Sequence, residues 1–143
     1  MRTFYIFKIN NEFTALTRNC PYNLFKSMEK IYYTDKKNLN VAYNVYEQIV
    51  LPFKKDKINV DIFENYKDND HYTKFNNIHM INNFYNDEQT KLIVNSSHMI
   101  LKTTVMAPSF FNILRNYSNI FVCDFENKDY FWLESVLVKT CIV

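Results

Sequence analysis

No glycine occurs anywhere in these 143 residues, although average usage would supply roughly ten in a chain this long. Glycine enters left-handed backbone conformations without steric cost, so the tight turns here must be made by Asn, Asp, Ser or Pro. The same absence removes whole classes of chemistry. A Walker loop, a dinucleotide-binding GxGxxG and a GxSxG nucleophile elbow each need glycine where a backbone turns sharply or approaches a phosphate. None of them can be present.

The hydrophobic share of 48% is enough for one sizeable core, and the length suits one domain, so residues 1–143 are expected to form a single domain. The bias toward Asn, Lys, Ile, Tyr and Phe is that of an AT-rich coding sequence, and individual Asn and Lys residues carry little functional weight. Seventeen basic side chains stand against fifteen acidic ones. So even a balance argues against a nucleic-acid or anionic-membrane partner. Cys20, Cys123 and Cys141 are odd in number and far apart, which points to reduced thiols and to neither a disulfide framework nor a CxxC motif. The opening "MRTFYIFKINNEF" lacks the long apolar region and cleavage site of a signal peptide, and no stretch has the length of a membrane span. A soluble, cytoplasmic protein is expected.

Residues 3–9, "TFYIFKI", are aromatic or β-branched on both pleat faces, the pattern of a central strand covered on both sides. Asn10 or Asn11 can cap a short helix in which Phe13 and Leu16 fall one turn apart. Pro21 suits a first helical turn, and Leu24, Phe25, Met28, Ile31 and Tyr32 recur at helical spacing over about residues 21–33. A third helix places Ala42, Val45, Tyr46 and Ile49 on one stripe that ends before Pro52. In residues 54–90 the periods conflict: Ile58, Val60 and Ile62 alternate as in a strand, while Tyr72, Phe75, Ile78 and Ile81 repeat as in a helix. Beyond them, "KLIVNSSHMILKTTV" reads as two strands around Asn95, Ser96 and Ser97. Pro108 opens a short helix with Phe111, Leu114 and Tyr117 inward, and "NIFVCDF" and "YFWLES" make a second hairpin. Helices early and hairpins late define an α+β fold, with helices packed on a largely antiparallel central sheet.

Few side chains combine into a chemical site. His71, His79 and His98 have no metal-ligand spacing, so no metal or cofactor is expected. Cys123 beside Asp124 could serve as an activated nucleophile, yet its neighbours on the pleat are Phe121 and Phe125, and burial in the core is the stronger reading. Glu126 and Asp129 could form an acid and base couple, but turns collect such residues for their own geometry. Aromatics interleaved with lysines could stack on bases, although nearby acids offset the charge. A protein-binding module remains, with an aromatic on a short helix as its anchor, and Phe13 is that aromatic.

The chain resembles a known family. The stretches "FYIFKINNEF", "IVLPF" at 49–53, "HMI" at 98–100 and above all "CDFENKDYFWL" at 123–133 are similar, in order and spacing, to SirA, the sporulation inhibitor of replication. The resemblance implies a non-enzymatic α/β protein, without cofactor, metal or small-molecule substrate, that binds the N-terminal domain of the replication initiator DnaA. It implies contact through the first short helix. The family's leading aromatic falls on Phe13, its second on Thr17, and a polar contact from the third helix near Gln48, with Leu16 on the same short helix. The alternatives are a similarly folded protein with another partner, or an enzyme using Cys123. The resemblance also assigns "VCDFENKDYFWLES" to the end of the sheet, with Trp132 structural.

Overall fold

A strand that is apolar on both faces must be covered on both, and the computed structural model, which describes residues 1–134, does this with β1 (Arg2–Ile9). Phe4 and Ile6 point to one side, Phe7 and Ile9 to the other, each at most 5% exposed. On its flanks lie β6 (Met99–Thr103) and β7 (Ile120–Asp124), both antiparallel to it. The remaining strands are β2 (Val50–Leu51), β3 (Tyr72–Phe75), β4 (Ile78–Asn83), β5 (Glu88–Val94) and β8 (Asp129–Trp132). Together they form an eight-stranded sheet in the order β3-β4-β5-β6-β1-β7-β8, with β2 paired to the end of β1. Every pairing is antiparallel, and helices pack on both faces, so the α+β reading holds.

One face is covered by α4 (Lys55–Tyr66) and α5 (Phe111–Leu114), whose Ile58, Ile62, Tyr66, Phe111 and Leu114 join Phe4, Leu92, Leu101 and Val122. The other face is covered by α1 (Asn11–Thr17), α2 (Pro21–Tyr32) and α3 (Leu39–Ile49). There Leu24, Phe25 and Met28 pack on Phe7, Phe121, Cys123 and Trp132. Each fully buried large side chain contributes about 1.5–3 kcal/mol relative to exposure. Pro21 starts α2 as expected, and Ala42 and Ile49 turn inward, but Val45 and Tyr32 remain 39% and 46% exposed. The expected helix after Pro108 shortens to α5, and Tyr117 packs against its cluster. The "YFWLES" strand ends at Trp132, and Ser135 and Cys141 lie outside the described residues.

The middle of the chain reverses both expectations. Ile58, Ile62 and Tyr66 follow a four-residue period on one face of α4, and Val60 stands 58% exposed opposite them. Tyr72, Phe75, Ile78 and Ile81 are a hairpin folded on itself, with Tyr72 opposite Ile81 and Phe75 opposite Ile78. A three-residue repeat arises there because the turn at Asn76–Asn77 brings these pairs together.

Turns without glycine are made at a steric cost. Asn76, Asp87, Asn119 and Lys128 all adopt left-handed backbone with φ of 53–59°. Asn and Asp tolerate that region through local side-chain bonds, and Lys128 lacks that option. Its amine instead reaches Glu29 on α2 at 3.0 Å, so the β7–β8 turn is tied to the helical layer.

Two polar networks are enclosed. The carboxyl group of Glu88, 4% exposed, accepts from Thr90 Oγ1 at 2.7 Å, Ser109 N at 3.0 Å and Ser109 Oγ at 2.6 Å. This fastens the loop before α5 onto β5. His79, fully buried, lies between Tyr72 Oη at 2.7 Å and Asn59 Oδ1 at 2.7 Å. Burial, helped by Lys74, lowers its pKa to about 4, against an ordinary value of 6.5. The folded protein then binds fewer protons than the unfolded chain between those values, so stability is complete above pH 6.5 and is lost as pH falls toward 4. The loss is on the order of 3 kcal/mol across that window. Burial also lowers the pKa of His98, which adds to the loss in the same direction. Urea titrations at a series of pH values should show this slope, and His79→Gln should make it shallower, leaving the part contributed by His98 and by carboxylates such as Glu29, which Lys128 and Lys26 hold below the usual range.

Candidate functional site

The seven residues of α1 are too few to hold a helix by propensity alone, and its one fully buried side chain is Thr14. The helix is held at its ends. Asn10 caps it, with Oδ1 accepting from Phe13 N at 2.8 Å. The Asn10 amide Nδ2 donates to the Gln48 carbonyl, and the Asn10 backbone N–H donates to the Ile49 carbonyl at 2.9 Å. Asn11 accepts from Asn119 Nδ2 at 2.7 Å, tying the first turn to the approach to β7. At the far end, Thr17 Oγ1 bonds back to the Phe13 carbonyl. Arg18 then lies 5.0 Å over the Trp132 ring and reaches Glu134 at 3.2 Å.

Because hydrogen bonds and one cation–π contact anchor the helix, its apolar side chains need not all turn inward. Phe13 is half-buried against the cluster that contains Phe7 and Trp132. Leu16 is 74% exposed. Thr17 is half-buried and Gln48 is exposed at the end of α3. Asn10 thus joins two elements distant in sequence and sets Gln48 beside the start of α1. The sequence offered Asn10 or Asn11 as the cap, and the structure uses Asn10; its bonds to α3 span nearly forty positions and leave no local signature.

Sequence periodicity placed Val45 on the inward stripe of α3, but with Val41 it lies on a more exposed face. Val41 and Val45 stand at helical spacing with Gln48, and they are 64% and 39% exposed. Both valines face the groove between α2 and α3, which Ile31 and Lys30 also line. Phe13, Leu16, Thr17 and Gln48 are themselves uncharged, which suits contact with an apolar protein surface rimmed by polar groups.

The other side chains singled out in the sequence occupy structural positions. Cys123 is fully buried, and burial pushes its thiol pKa well above the ordinary value, the reverse of what a nucleophile needs. Asp124 is 1% exposed. Although burial opposes it, bonds from Asn127 and Arg2 hold its carboxyl below the usual range. Asp129 pairs with Arg2 at 2.9 Å, and Glu126 is exposed, so the two carboxyls form no acid and base couple. Trp132 lies against Phe121 with ring centres 4.9 Å apart. Among the described residues there is no cluster of His, Cys, Asp and Glu able to hold a metal, and no helix is long and apolar enough to cross a membrane.

A family model for SirA, sporulation inhibitor of replication protein, matches residues 2–137, from the start of β1 to beyond β8. The chain belongs to the SirA family. No curated protein matches it. The SirA match runs through α1, α3 and the β7–β8 hairpin alike, so the elements that carry Phe13 and Gln48 lie within the family's own fold. For a SirA protein, the stretch from Val122 to Glu134 is the closing edge of the sheet, with Trp132 beneath the end of α1.

Proposed function

We propose that this SirA-family protein is a non-enzymatic inhibitor of chromosome replication that binds the N-terminal domain of the initiator DnaA through α1 and the adjoining end of α3. The observation that carries the reading is the outward Leu16 beside half-buried Phe13, on a helix whose capping residue also bonds to Gln48. A rigid apolar knob on a fixed helix loses little conformational freedom on binding, and more of its contact free energy then appears as affinity. Family membership supports replication control as the process, and the uncharged side chains of Phe13, Leu16, Thr17 and Gln48 support an apolar partner surface. Inhibition works by occupation: a partner whose self-association surface is covered cannot assemble.

Calorimetric titration of the protein with the isolated N-terminal domain of DnaA tests the proposal directly. The expected result is saturable one-to-one binding. Leu16→Asp should weaken it by at least about tenfold, because a charge would be desolvated in the interface, with the melting temperature unchanged. A folded wild-type protein that does not bind the domain would exclude DnaA as the partner. Equal binding by wild type and Leu16→Asp would exclude this face.

A further inference from the structure

Between α2, α3 and the sheet lies a cavity of about 240 Å³, separate from the α1–α3 junction. Its walls are the rings of Tyr5, Phe7, Tyr32, Tyr46, His98 and Phe125, closed on the helical side by Met28 and Ile31. Phe7, Met28 and Phe125 form the buried floor, and Tyr32, nearly half exposed, stands at the mouth. The space opens to solvent at that mouth, so a guest can reach its buried apolar floor without displacing any packed side chain.

The lining specifies what would fill it. No charged side chain faces the space, so an ion entering it would give up hydration for nothing. The rings present both faces and edges: Tyr32 stacks on Phe125 with centres 4.5 Å apart, Tyr5 tilts against Phe125 at 5.5 Å, and His98 lies 6.2 Å from Phe7. An aromatic guest can stack or sit edge-on against such walls. A sealed apolar cavity of about 150 Å³ accepts benzene, and this open one of about 240 Å³ is of a size for one or two fused rings. Polar groups are confined to the rim. The Tyr5 and Tyr32 hydroxyls face each other at 3.3 Å, long for such a pair, and their proton is readily redirected to a guest. Ser97 Oγ engages His98 Nδ1 at 2.7 Å, and the other ring nitrogen has no partner among the described residues. Burial keeps His98 neutral at physiological pH.

We propose that this cavity is a binding site for a neutral, flat aromatic molecule of one or two fused rings with a single hydrogen-bonding group, of the size and polarity of indole. The ring stacks among Phe7, Tyr32 and Phe125, and its polar group meets the Tyr5–Tyr32 hydroxyls or His98. The site does not depend on the DnaA reading, since none of its lining residues belongs to the proposed docking face.

Methyl-labelled full-length protein titrated with indole tests it. The Met28 ε-methyl and Ile31 δ1-methyl resonances should shift saturably, with a dissociation constant of about 1 mM or tighter, and show intermolecular NOEs to the indole ring. Ile31→Trp, which fills the space, should abolish the shifts. Indole-3-carboxylate, the same ring with an added anion, should bind at least tenfold more weakly. Shifts that do not saturate up to the solubility of indole, or NOEs only to methyls elsewhere such as those of Val60, would overturn the assignment. So would equal binding of the carboxylate. If Ile31→Trp fails to fold, the wild-type NOEs alone decide.

Discussion

Phe13→Ala is expected to weaken binding of the DnaA N-terminal domain by at least about thirtyfold while the protein stays folded. Truncating an aromatic anchor at the centre of an interface commonly costs at least about 2 kcal/mol, which is about thirtyfold in affinity. Phe13 also packs against the cluster of Phe7 and Trp132, so the substitution has a stability component. Fully buried Phe→Ala changes cost about 3–5 kcal/mol, and a half-buried ring less, within the 5–15 kcal/mol typical of a domain. Asn10 still caps α1 through its side chain, because the acceptor bond is made to the backbone N–H of residue 13 and not to its ring. Titration and thermal melting of the same preparation separate the two components. A variant that unfolds would make Phe13 a core residue; one that folds and binds normally would remove it from the interface.

Glu88→Ala should lower the unfolding free energy by about 3 kcal/mol, although Glu88 is far from the docking face. Its carboxyl oxygens satisfy three donors, two of them on Ser109, and alanine leaves those donors facing an apolar gap. Thr90 keeps a bond to Thr103 Oγ1 at 2.8 Å, so the loss is concentrated at Ser109 and the loop leading into α5. Glu88→Gln retains an acceptor oxygen and should cost roughly half as much. In urea, the Ala variant should unfold at a midpoint about 1–3 M lower, given slopes of about 1–3 kcal/mol per molar. A midpoint within about 0.3 M of wild type would mean that water replaces the carboxyl without loss.

What the sequence revealed depended on the range of the interaction. β1 was legible because "TFYIFKI" has no polar face to spare, and α2 because its apolar stripe runs three turns behind Pro21. The hairpin of β7 and β8 was legible because Phe121, Cys123 and Phe125 alternate cleanly. Residues 55–83 misled because both periods were accidental: Val60 interrupts nothing on a helix whose core positions are four apart, and the Tyr72–Ile81 spacing reflects a turn and not a helical face. On the proposed docking face, Phe13 could be found from local pattern and family likeness. The exposure of Leu16 and the bond from Asn10 to Gln48 could not, since both follow from how α1 is pinned to distant backbone.

The central place of β1 also sets a timetable. It precedes every other described strand in the chain, yet Arg2 pairs with Thr103 and Tyr5 with Cys123, so its two long partners follow only after all the helices from α1 to α4. Long-range antiparallel pairing of this kind slows folding, because the entropy of closing a long loop is lost before any contact compensates it. A nascent chain stopped before β7 would hold its most apolar strand with one edge open. The hold on α1 from the approach to β7 and from Trp132 would be missing as well. The α1 face would therefore be fully held only once β7 and Trp132 have joined the sheet.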